Sequence, residues 1–155
     1  HSEAALTLSA LHEGFADALA GLLHRDPRFL DASLNMPQRH LDEVRMLEDV
    51  QTPSQYLEDA ALPLFYDPYP LGTVLASWYW AWSLGTPNPD EVISHLFGGA
   101  EALASDLREE GQWSHDFSWR MLEASLEMAD DDLRAWGCDL ANERFNGVVL
   151  APCSI

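Results

Sequence analysis

Leu71-Gly72-Thr73-Val74-Leu75-Ala76-Ser77-Trp78-Tyr79-Trp80-Ala81-Trp82-Ser83-Leu84-Gly85 is the stretch on which the fold turns. From Leu71 to Leu84 it is apolar and aromatic almost throughout, and Gly85 follows where a left-handed helix cap would stand. Leu75, Trp78, Tyr79 and Trp82 fall at i, i+3, i+4 and i+7, one face of a helix. The natural reading is a central helix buried by its neighbours. Trp80 points roughly opposite Trp78 and Trp82. It must enter a second packed layer, line a pocket or stand at the surface.

Helical spacing continues on both sides of this stretch. Leu8, Leu11, Phe15, Leu19 and Leu22 mark an amphipathic helix from about Ala4 to His24, stopped by Asp26-Pro27. A second is expected from near Pro37 to near Val50, with Leu41, Val44 and Leu47 on one face. Thr52-Pro53-Ser54-Gln55 carries a capping-box start for a third, which holds Tyr56, Leu57, Ala60 and Ala61. Pro63, Pro68 and Pro70 are then expected to forbid regular structure up to the central helix. Asn88-Pro89-Asp90-Glu91 opens a fifth helix with Val92, Leu96, Ala100, Leu103 and Leu107 on its inner face and Gly111 at its end. Within it, Gly98-Gly99 signals close packing against a neighbour. A sixth begins at Ser114 and places Trp119, Leu122, Leu126, Ala129, Leu133 and Trp136 on its stripe, with Gly137 beyond. A short seventh is allowed over Leu140 to Phe145, and Gly147 to Ile155 reads as extended. No strand pair or internal repeat is visible in the pattern. The expected architecture is therefore all-α: one domain over residues 1–155, an irregular bundle of six to seven helices with a short extended C-terminal tail.

A length of 155 residues suits one hydrophobic core. Twenty-six acidic residues face eight basic ones, for a net charge of −18, and all eight cations are arginine. A lysine-free chain points to a GC-rich bacterial genome. With 47% hydrophobic and 10% aromatic residues the chain is not a disordered acidic tail. Its charge disfavours direct contact with nucleic acid or an anionic membrane surface, and no uninterrupted apolar stretch is long enough to span a bilayer. Cys138 and Cys153 are too few and too far apart for a disulfide scaffold or a zinc site, and fit a reduced protein of the bacterial cytoplasm best. A periplasmic protein, with one disulfide and with His1 left by processing, is the alternative.

Motifs for catalysis are missing from the sequence. No Gly-rich phosphate loop, His-Glu-x-x-His helix, Gly-x-Ser-x-Gly elbow or Cys-x-x-Cys occurs, and no glutamate has a histidine three positions later. The nearest ligand pairs are Glu91 with His95 and His40 with Glu43, which read more simply as intrahelical pairs. No catalytic residue, metal or cofactor is expected. Binding is better represented. Phe65, Tyr66, Tyr69, Trp78, Tyr79, Trp80 and Trp82 gather seven of sixteen aromatics within eighteen residues. Of these, Trp80, Tyr66 and Tyr69 are the candidate partner contacts. Asp116, Glu123, Glu127, Asp130 and Asp131 recur at helical spacing, with Asp132 nearby; Glu123, Glu127, Asp130 and Asp131 are the acidic candidates. Like charges at this spacing repel by a few tenths of a kcal/mol per pair, so the stripe calls for a reason, either solubility or a basic partner.

Leu64-Phe65-Tyr66-Asp67-Pro68-Tyr69-Pro70, followed by Ser77-Trp78-Tyr79, resembles the proline-rich segment of the bacterial redox-enzyme maturation chaperones. That resemblance, over sixteen residues, implies an acidic all-helical protein that binds twin-arginine leader peptides. In general character the chain is also similar to bacterial immunity proteins, which mask the active site of a toxic effector. The leading expectation is a non-enzymatic acidic protein that captures a basic partner: a toxin, a nucleic-acid-binding protein or an arginine-rich peptide. Two alternatives stand beside it. One is a helical ligand-binding or enzymatic domain with an aromatic pocket near Trp78, Trp80 and Tyr69. The other is a nucleic-acid mimic whose carboxylates imitate phosphates.

Overall fold

A computed structural model describes residues 2–31, 34, 36–59, 65–110 and 119–154. Among them run six helices: α1 (Glu3–His24), α2 (Pro53–Glu58), α3 (Tyr69–Ser83), α4 (Pro89–Glu110), α5 (Arg120–Met128) and α6 (Asp131–Arg144). Short 3-10 turns cover Pro37–Arg39, Leu47–Asp49 and Ala151–Cys153. The expected all-α irregular bundle is what forms. None of the helices is long and apolar enough to cross a membrane among the described residues.

α3 is the central helix, packed against α1, α4 and α6. Its predicted inner face is buried, with Trp78, Tyr79 and Trp82 fully enclosed. The two indoles lie stacked, ring centroids 5.0 Å apart. Trp82 Nε1 donates to the Leu133 carbonyl at 2.7 Å and Trp78 Nε1 donates to the Gly137 carbonyl at 3.1 Å. Donors four residues apart on α3 thus meet acceptors four residues apart on α6, a match of helical repeats that fixes the register of the pair. Tyr79 places its hydroxyl 2.8 Å from Ser125 Oγ on α5, and burial pushes the phenol up from its ordinary range.

Close approach of backbones needs glycine at two places. A Cβ on Gly14 of α1 would lie 2.7 Å from the Gly72 carbonyl oxygen, and one on Gly72 would lie 2.9 Å from the Ala10 carbonyl oxygen and from the Gly14 nitrogen. On α4, a Cβ at Gly99 would stand 2.3 Å from both the Met121 carbonyl oxygen and Ser125 Oγ. The expected tight packing at Gly98-Gly99 is therefore against α5.

Four expectations are corrected. The helix from Pro37 to Val50 is replaced by two 3-10 turns joined by extended chain. Arg45 explains part of this: its guanidinium takes the Pro37 and His40 carbonyls, while the Leu41 N–H goes to Pro27 rather than back to Pro37. Leu41 is buried as read, but Val44 is exposed. The prolines before α3 do not keep the chain irregular up to Leu71. Pro68 stands at the N-cap and Pro70 in the first turn, where a missing N–H costs nothing, so α3 starts at Tyr69. Gly85 takes no left-handed conformation; a Cβ there would collide with the Trp136 indole at 2.2 Å. The sixth helix is two helices. Ala129 is extended, and Asp130 caps α6 through the Leu133 N–H at 2.8 Å. Arg134 closes the break by donating to the Leu126 and Ala129 carbonyls.

Gly137 lies inside α6, where a Cβ would strike the Trp82 indole, and residues 140–144 belong to the same helix. The start at Ser114 and the Gly111 stop lie outside the described residues. The tail carries the 3-10 turn at Ala151–Cys153, and Cys153 is joined to Cys138 across fifteen positions. The two thiols expected to be reduced are thus paired, as the periplasmic alternative supposed.

Candidate functional site

Seven residues were expected to meet a partner, and the structure distributes them. Tyr66 is buried with Leu6 and Tyr56 in a small satellite core, its hydroxyl donating to the Gln51 carbonyl at 3.2 Å. Burial, with Asp67 adding, pushes its phenol up to about 12. It offers a partner no surface, contrary to expectation. Trp80 is half-buried against the core, so it fills a second packed layer. Tyr69 stays 39% exposed, its ring 4.4 Å from the Arg39 guanidinium.

The acidic stripe also divides. Glu123 accepts from the Ala151 N–H at 2.9 Å and so ties the tail to α5. Glu127 pairs with Arg120, which lies closer to Asp106; both carboxylates raise the arginine's pKa, Asp106 most strongly, with burial opposing. Asp130 caps α6. Glu127 and Asp130 remain exposed while making these contacts, and Asp131 is freest of the four, its side chain 97% exposed despite a contact of 3.3 Å with Arg134. Asp116 lies outside the described residues.

Around Asp131 a different acidic surface emerges, the outer face of α6. Asp131, Asp132, Asp139 and Glu143 are all exposed along it. Trp136 stands between them, 40% exposed, its Nε1 donating to the Ala81 carbonyl at 3.2 Å. Leu84 is exposed at the end of α3. A shallow depression of about 350 Å³ opens beside this face, bordered by Asp131, Asp139, Asn142 and the Cys138–Cys153 bridge. Trp136, expected on the buried stripe, is therefore partly at the surface. Within α6 the buried positions are Leu133, Gly137, Leu140, Ala141 and Arg144, a face that leaves Trp136 to one side.

Of the two ligand-like pairs, only Glu91 with His95 is intrahelical as expected; His40 stands outside any helix, and both histidines are buried. His40 is buried between Asp31, 2.7 Å from Nε2, and Glu43, 3.4 Å from Nδ1. His95 lies in the core against Trp82, with Glu91 3.7 Å from Nε2. Among the described residues no group of three or more His, Cys, Asp or Glu is arranged to hold a metal ion. Comparison of the chain with protein families, with curated proteins and with solved structures finds no match.

Proposed function

We propose that the protein is a non-enzymatic binding protein that captures a basic partner protein on the outer face of α6, as a toxin inhibitor or a chaperone would. The observation that supports this reading is the exposed Trp136 among Asp131, Asp132, Asp139 and Glu143 on a chain of net charge −18. Carboxylates on a single helix face steer a cationic partner and pair with its side chains at the rim. The indole supplies what charge alone lacks, apolar contact area and a π face for an arginine or lysine. Tyr69 and Trp80 lie on α3 and are assigned no part in this contact.

The test is a pull-down with the tagged protein from a bacterial lysate at low and at high salt, repeated with the Trp136→Ala/Asp139→Asn variant. A basic protein retained at low salt, weakened at high salt and lost by the variant supports the reading. Retention of the same protein by the variant at both salt concentrations places the interface elsewhere.

A further inference from the structure

A cavity of about 180 Å³ lies on the other side of α3, between its first turn and the chain from Met36 to Val50. Arg39, Arg45, Tyr69, Pro70, Asp67 and Thr73 are among its walls. Both guanidiniums are held from behind. Arg39 gives Nε and Nη2 to the buried Asp17, and Arg45 gives Nε to the His40 carbonyl and Nη2 to the Pro37 carbonyl and Glu43. Neither makes a hydrogen bond through Nη1 among the described residues. α3 starts at the same place, where the Asp67 carboxylate already accepts from the Tyr69 N–H at 3.1 Å.

Two further observations point the same way. Thr73 is 1% exposed and its hydroxyl has no hydrogen-bond partner, an unfavourable state for a buried polar group. One turn deeper, Ser77 accepts from Arg144 Nη1 at 3.1 Å. Arg144 is 5% exposed and its Nε has no partner, with Glu143 the neighbouring carboxylate that acts on its charge. Burial lowers its pKa. Tyr69, Thr73 and Ser77 are spaced four apart, so a single face of α3 meets Arg39, Arg45 and Arg144. Against these three stand Glu13, Asp17, Glu43, Asp67 and Glu143, five carboxylates to three arginines, whereas the whole chain carries 26 acids to eight arginines. The locality is thus less acidic than the chain as a whole.

We infer that this cavity binds a small organic monocarboxylate, its carboxylate held by the Nη1 groups of Arg39 and Arg45 at the start of α3. The apolar body of the ligand would rest on Pro70, Val50 and the Tyr69 ring. At roughly 30 Å³ per water the space matches about six waters, which limits the ligand to the size range of butyrate to benzoate. Asp67 in the wall disfavours a dianion such as phosphate.

The site is independent of the α6 face, so either proposal can fail alone. The experiment is a thermal-shift and calorimetric titration of the whole protein at constant ionic strength with butyrate, benzoate, benzamide and inorganic phosphate. Saturable binding of butyrate or benzoate, with none for benzamide, is expected. Arg45→Met should weaken that binding at least tenfold. Because Arg45 also holds backbone carbonyls, Thr73→Val serves as a second variant, expected to weaken binding several-fold. Arg28→Met, which removes a surface arginine, should leave it unchanged. Equal response to benzamide, no response to any carboxylate, binding of phosphate alone, or carboxylate binding unaltered in both Arg45→Met and Thr73→Val would each overturn the assignment.

Discussion

Replacing Asp17 by asparagine should be among the most destabilising isosteric changes available in this chain. The carboxylate sits in α1 with its side chain 4% exposed, and Arg39 reaches it from the 3-10 turn with its own side chain 13% exposed. Two parallel bonds join them, Nε to Oδ2 at 2.9 Å and Nη2 to Oδ1. Burial works against the charge on Arg39, but the hydrogen bond and the charge of Asp17 outweigh it and its pKa is raised. An amide at position 17 keeps the volume but turns one acceptor into a donor facing a guanidinium N–H. Breaking a buried pair while leaving the other charge in place costs about 3–5 kcal/mol. Asparagine retains one acceptor, so the low end, about 3 kcal/mol, is expected. For a chain of this size that lowers Tm by about 6–12 °C. Urea denaturation followed by circular dichroism measures the loss. Arg39→Met and the double variant complete a thermodynamic cycle, with a coupling energy of about 2 kcal/mol or more expected for contacting charges. A loss under about 1 kcal/mol for Asp17→Asn, or additivity in the cycle, would mean that the pair does not couple α1 to the 3-10 turn.

Other consequences are open to the same assays. Gly99→Ala forces a Cβ against the Met121 carbonyl and should cost about 1–3 kcal/mol in the urea midpoint, whereas an unchanged midpoint would mean that α4 and α5 are not packed this closely. Reduction of the Cys138–Cys153 bridge opens a loop of fifteen residues, and a loss of about 3 kcal/mol is expected by comparing unfolding with and without reductant; equal curves would contradict it. A net charge of −18 repels itself in the compact state, so adding sodium chloride from ~0.05 to ~0.5 M should raise the urea midpoint. A midpoint that falls would show that attractive pairs, and not repulsion, dominate the surface.

Period carried the fold a long way. Leu75, Trp78, Tyr79 and Trp82 are buried as their spacing requires, and the capping box at Thr52 and Gln55 forms with both of its bonds. What spacing could not carry was competition for backbone partners. Residues 37 to 50 have helical periodicity, yet the side chain of Arg45 takes carbonyls that a helix would use. Asp130, Asp131 and Asp132 read equally well as surface charge and as the start of a helix, and the second role governs the structure. That ambiguity hid the acidic face: Glu123 and Asp130 serve the fold, while Asp139 and Trp136 reach the surface. The cavity at Arg39 and Arg45 was illegible for a related reason, since residues 39, 45 and 73 meet only through tertiary folding. Only Tyr69, on the proline segment, stands out in the sequence itself.

In the proposed function the outer face of α6, rather than acidity in general, holds the partner. The most direct measurement compares two variants of equal charge change, Asp131→Asn/Asp139→Asn on α6 and Glu101→Gln/Glu109→Gln on α4, for the salt dependence of their affinity toward the captured basic protein. A weaker complex with a shallower salt slope is expected for the α6 variant, and near wild-type behaviour for the α4 variant. Equal weakening by both would reduce the acidity to a diffuse field and contradict a defined binding face.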